Sequence, residues 1–193
     1  MKPLENRSPQ VLVLQHLMAL LDEAEARGQI AGEVLVVPAA NPIGLSQWAY
    51  QRPLGRHEAD SMRNFNRGYP ELANLVGDRL EGVLTGSETE NLHLIRTAFR
   101  ASLAEICIRD DRAEQMAALM NWSCDADYVL DLHCDQVAVL YLYASHARPQ
   151  DRDLLGRSIG ARLTLIEDVS GGHPFDEAHT VPWAALRART AAA

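Results

Sequence analysis

The sequence has 193 residues, 47% of them hydrophobic, and a net charge of −8, enough chain for one core of ordinary size. No lysine or arginine cluster offers a basic face, which argues against nucleic acid, and no apolar run reaches the ~18 residues of a membrane span. Three cysteines (Cys107, Cys124, Cys134) form neither a disulfide framework nor a zinc ribbon, and the first ten residues lack the apolar run of a secretory signal, so the expectation is a reduced, soluble, cytoplasmic protein.

In chain order, Leu14, Leu17, Met18 and Leu21 recur at helical spacing between Val11 and Arg27, with Gly28 as the stop. The β-branched run Glu33–Val37 reads as a buried strand closed by Pro38. An irregular stretch then runs from Asn41-Pro42 to Pro70, a length that is usually functional inside a compact domain. Helices follow over 71–80, 88–109 and 112–120; in the second, Leu92, Ile95, Phe99, Leu103 and Ile106 share one face. Tyr128–Leu132 and Val137–Tyr143 read as strands neighbouring Glu33–Val37 in one sheet. Asp151–Ile159 reads as a helix, Arg162–Ile166 as a strand, and Gly171–Trp183 as a loop. Helices alternating with short apolar strands predict an α/β protein with a mostly parallel sheet, and no boundary divides the single domain 1–193.

Four segments carry polar chemistry. In Asp131-Leu132-His133-Cys134-Asp135, alternation puts Asp131 and His133 on the same side of an extended chain, at a strand end where α/β sheets gather ligands. That suits a metal ligand with a carboxylate to orient it, or a histidine that caps the sheet and is satisfied by backbone. In Arg63-Asn64-Phe65-Asn66-Arg67-Gly68-Tyr69-Pro70, two guanidiniums and two amides bracket an aromatic ring. Arginine forks take carboxylates in bidentate fashion, so the segment reads as an anchor for a small acid, or as an exposed loop pairing with the protein's own acids. Asn41-Pro42-Ile43-Gly44 most simply makes a turn. The segment 171–179, GGHPFDEAH, has two histidines and two acids in a surface loop, where Pro174 and the paired glycines break regularity.

In this order, Asn41-Pro42, Arg63 with Asn66-Arg67, Asp131-Leu132-His133 and the tail GGHPFDEAHTVPW resemble the succinylglutamate desuccinylase/aspartoacylase family, from about Val11 to Trp183. The resemblance implies a zinc carboxypeptidase-like fold, a three-layer sandwich around a mostly parallel sheet. It implies zinc as cofactor, held by a His-x-x-Glu pair and a later histidine that His133 matches, with Asp131 orienting the ring. Arg63, Asn66 and Arg67 match the substrate-carboxylate anchors. The implied reaction is hydrolysis of the amide of an N-acyl amino acid or a similar small acid, zinc activating the water and a glutamate moving the proton.

Two departures qualify the implied chemistry. The family's His-x-x-Glu precedes the first helix, where this sequence reads MKPLENRSPQ, and its general-base glutamate follows the PFDE-x-H-T loop, beyond what is here ARTAAA. Position 64 is Asn where the family commonly has Asp. A zinc centre needs about three protein ligands, so His133 alone is expected to hold the ion weakly. The competing expectations are a non-catalytic module that binds a small carboxylate, and a differently built metal site joining His133 to His173 or His179.

Overall fold

The computed structural model describes residues 9–134 and 137–191. They divide into two compact units, one of residues up to Met62 with Leu132–Cys134, the other of Arg63–Asp131 and the described residues from Val137.

The first unit opens on α1 (Pro9–Ala26). Gly28 stops it as expected: at φ +66° its N–H donates to the Glu25 carbonyl at 2.8 Å, while the Gln29 N–H reaches the Ala24 carbonyl at 2.9 Å. This paired closure satisfies the last free carbonyls, and glycine adopts its left-handed conformation without a Cβ penalty. Residues 33–37 belong to no helix or strand, and Val34 and Leu35 are 54% and 61% exposed. The strand expected there is absent because a β-branched run becomes one only where a neighbour completes its ladder. Asn41 caps α2 (Pro42–Ser46), accepting from the Gly44 N–H at 2.8 Å, and its amide donates to the Gly55 carbonyl at 2.8 Å. The expected turn is therefore a helix cap tied to a following hairpin, β1 (Trp48–Ala49) and β2 (Arg52–Pro53), whose turn residues Tyr50 and Gln51 both have positive φ.

The second unit contains the core. Three helices, α3 (Leu72–Leu80), α4 (Glu88–Ala104) and α5 (Asp111–Ser123), begin it. Ser87 and Asp110 cap the latter two, accepting from the Glu90 and Ala113 N–H groups at 3.4 and 2.7 Å. α3 packs on both α4 and the last helix, α4 also meets α5, and Leu72, Val76, Ile95, Phe99, Leu103 and Met120 fill the space between. α4 stops at Ala104, five residues short of the expected Arg109. After Tyr128–Leu132, which is largely exposed and not a strand, the chain forms β3 (Tyr141–Ala144), α6 (Pro149–Ser158) and β4 (Leu163–Ile166). β3 and β4 pair in parallel, Tyr141 opposite Leu163 through Ala144 opposite Ile166. Gly156 of α6 approaches Leu142 and Thr164 on one face of this pair, while Tyr143, Leu163 and Leu165 on the other are exposed.

Of the three strands expected to share one sheet, only the end of Val137–Tyr143 lies in a strand, and its partner is Leu163–Ile166. The other clear departure is the tail. Instead of a loop to Trp183, α7 runs from Phe175 to Ala191, with Pro182 inside it. Pro174 stands just before the helix, where a missing N–H is harmless, and Asp176 and Glu177 lie in the first turn, where the helix dipole favours negative charge. The architecture is thus mixed helix and sheet with a parallel pair. Among the described residues no helix is long and apolar enough to cross a membrane.

Candidate carboxylate-binding site

The site is built from two loops of the second unit, residues 63–70 and 170–174. Phe65 and Tyr69 are buried and hold the first loop to the core, leaving Asn66 and Arg67 between them half-buried. Tyr69 meets the Phe175 ring edge to face, centroids 5.3 Å apart. Burial, reinforced by the Asp131 charge and opposed by Arg112, pushes the Tyr69 hydroxyl up to about 12, so it stays protonated.

Backbone bonds stitch the loops together. The Gly68 N–H donates to the Gly172 carbonyl at 2.9 Å, and the Tyr69 N–H to the His173 carbonyl at 3.0 Å. Gly171, Gly172 and His173 all have positive φ, a run that glycine makes accessible. A Cβ on Gly172 would lie 2.8 Å from Arg67 Cδ, so the Arg67 side chain lies directly against this glycine. Within the first loop, Asn64 Oδ1 accepts from the Asn66 N–H at 2.9 Å, and Asn66 Oδ1 accepts from the Phe175 N–H at 2.8 Å.

Arg63, Asn66 and Arg67 are therefore brought together but differ in disposition. Arg63 is exposed and 3.8 Å from Asp110. Asn66 is half-buried, with its side-chain oxygen on the first turn of α7. Arg67 is half-buried, donates to the Asn66 carbonyl at 2.6 Å, and has no carboxylate in ion-pair range among the described residues.

Beneath them is a residue that sequence reasoning missed. Arg112 of α5 is only 8% exposed, and its Nη2 donates to the Asn64 carbonyl at 3.2 Å and to the Arg67 carbonyl. One arginine in an amphipathic helix carries no spacing signal, so only the folded chain reveals it.

The acids and histidines of the second loop have other work. Burial alone would raise the Glu177 carboxyl, but the Ser170 hydroxyl and N–H and the Gly171 N–H all donate to it and hold it below the usual range. His173 Nε2 is 3.0 Å from Glu71. His179 Nε2 is 3.0 Å from Ser123 Oγ, its ring stands edge to face on Phe175, and burial pushes its pKa down to about 4. It is neutral at physiological pH.

Asp131 and His133 are exposed and not at a strand end, because 128–132 pairs with no strand among the described residues. His133 groups with the first unit, whereas Asp131 groups with the second and its charge is felt at Tyr69. Among the described residues no three His, Cys, Asp or Glu side chains gather to hold a metal ion. They do not supply the ligand set of a zinc centre, with His133 or with the His173/His179 alternative.

Fold and site together define a mixed α/β protein whose arginine–amide loop is clasped by a glycine-rich loop. Among solved structures the chain is similar to a protein of Shewanella amazonensis SB2B ascribed to the succinylglutamate desuccinylase/aspartoacylase family, with TM-score 0.61 and 26% identity over 80% of this chain and 42% of that one. It is equally similar to a protein of Shewanella frigidimarina NCIMB 400 ascribed to the same family, with TM-score 0.60 and 26% identity over 80% and 41% of the two chains. It thus spans about two fifths of the length of these structures. No protein-family model matches the sequence, and no curated protein does. The chain is a structural relative of the succinylglutamate desuccinylase/aspartoacylase family.

Proposed function

We propose that this chain binds the carboxylate of a small N-acyl amino acid, or a similar acidic amide, through Arg67 with Arg63 and Asn66, as part of an amidohydrolase of the succinylglutamate desuccinylase/aspartoacylase type. The observation that carries the reading is Arg67: a half-buried guanidinium on a loop fixed from both sides, with no carboxylate in ion-pair range among the described residues. A planar fork held in this way suits bidentate capture of an external carboxylate. The likeness to the two Shewanella structures supports hydrolase ancestry, and with it a zinc carboxypeptidase-like, three-layer sandwich over a single domain.

Zinc as cofactor, with His133 as a ligand and Asp131 orienting it, is part of the same family reading. The described residues do not complete that set, so the proposal is carried by binding. A non-catalytic carboxylate-binding module would show the same binding without turnover.

Calorimetry with N-succinyl-L-glutamate and N-acetyl-L-aspartate tests the reading. Binding should weaken at least about tenfold in Arg67→Ala, the scale of a lost charge-assisted hydrogen bond. Wild-type affinity in that variant would sink it. Release of free amino acid, measured in parallel, separates hydrolase from binding module.

A further inference from the structure

We infer that Arg112, far from Arg63–Arg67 in sequence, is the positioning residue that sets the geometry of the carboxylate anchor; this rests on the binding role proposed for Arg67. Three observations carry it. The Arg112 guanidinium grips the loop through the carbonyls of Asn64 and Arg67, which flank Asn66. A Cβ on Gly68 would lie 3.6 Å from its Nη2, so the guanidinium lies beside the loop's turn. Finally, the residue is buried at a cost: Nε is out of water with no hydrogen-bond partner, and no carboxylate is in ion-pair range among the described residues.

An unmade buried hydrogen bond is costly, and a buried charge without a counter-ion costs more. An apolar side chain would fill this part of α5 without either penalty. What an apolar side chain lacks is a donor that reaches two loop carbonyls at once. The guanidinium provides that donor, and its plane fixes where the Arg67 backbone, and hence the Arg67 fork, begins. Arg112 is itself almost wholly covered, so it acts through Arg67 rather than by touching the ligand.

Two measurements test this. The first is calorimetry with N-succinyl-L-glutamate on wild type, Arg67→Ala, Arg112→Met and Arg112→Ala, each checked for native Trp fluorescence. Affinity should fall at least about tenfold in both Arg112 variants, since a displacement of about an ångström at an anchor is worth that much or more. Millimolar methylguanidinium should restore it in the folded Arg112→Ala protein, where space for the ion has been opened. A loss of packing alone would not be restored by a cation. Undiminished affinity in both Arg112 variants, or a loss in folded protein that methylguanidinium leaves unchanged, overturns the inference.

The second measurement needs no ligand: the Arg67 Nε–H signal in nitrogen-15 NMR. It should shift and exchange faster with water in Arg112→Met, and an unchanged signal overturns the inference. If wild type binds no N-succinyl-L-glutamate while the Arg67 signal still responds to Arg112→Met, the positioning role stands and the carboxylate-binding reading falls.

Discussion

The Asn66 side chain accepts the Phe175 N–H at 2.8 Å across 109 residues of sequence, so the loop that carries the proposed anchor also caps the last helix. A helix start ordinarily leaves its first N–H groups to a neighbouring serine or aspartate. Here the acceptor comes from a distant loop, and forming α7 and ordering residues 63–70 become one event.

Asn66→Ala should therefore destabilise the protein by about 1 kcal/mol, the usual cost of a lost cap, and weaken carboxylate binding in the same variant. Asn66→Asp keeps an acceptor and adds a charge the helix dipole favours, so thermal unfolding should place it near wild type. Equal destabilisation of both variants would show that the cap contributes nothing.

Gly171 and Gly172 separate strain from contact. Both have left-handed φ, +89° and +79°, so alanine at either should cost about 1–2 kcal/mol. A Cβ at Gly171 meets nothing within 4 Å, whereas one at Gly172 meets Arg67. Gly172→Ala should lose ligand affinity and Gly171→Ala should not. Calorimetry on the pair checks this, and matched losses would count against the placement of Arg67.

His179 makes stability depend on pH. Its pKa is about 4 in the folded protein and near 6.5 when exposed, so between those values the unfolded chain binds the extra proton and stability falls as pH drops. Between pH 7 and 5 the loss should be about 2 kcal/mol. In His179→Gln, which can still bond to Ser123, that part of the slope should vanish. Urea midpoints at the two pH values decide it; carboxylates with lowered pKa, such as Glu177, act only further down the scale.

Phe99 is 1% exposed, its ring edge to face with Trp183 at 5.4 Å. Phe99→Ala should cost ~3–5 kcal/mol through the cavity and the lost ring contact, and Trp183 fluorescence should report the change before unfolding. A loss below about 1 kcal/mol would mean that Phe99 and Trp183 are not packed as described.

What is legible in the sequence is whatever local chemistry determines. The spacing of Ile95, Phe99 and Leu103 announces α4, and Gly28 announces the end of α1. The arginines and amides of 63–67 announce a polar loop of defined chemistry. Strands are less legible, because apolar runs such as Glu33–Val37 and Leu163–Ile166 look alike until one finds a neighbour and the other does not.

The last helix is hidden by Pro174, Pro182 and the paired glycines, which normally mark a loop, although the alanine-rich run after Trp183 and the acids at 176 and 177 favour helix. Arg112 is not legible at all, since its role depends on what lies above it in space.

The uncovered face of the β3–β4 pair has a colloidal consequence. Tyr143, Leu163 and Leu165 present apolar surface on a pair whose strands, among the described residues, have only each other as partners, and open strand edges are templates for association. The net charge of −8 keeps copies apart at neutral pH, and that repulsion disappears near the isoelectric point of about 5.3. Self-association should therefore be steepest near that pH and should recede on either side of it, so light scattering traced against pH would peak inside the same interval over which His179 erodes the fold.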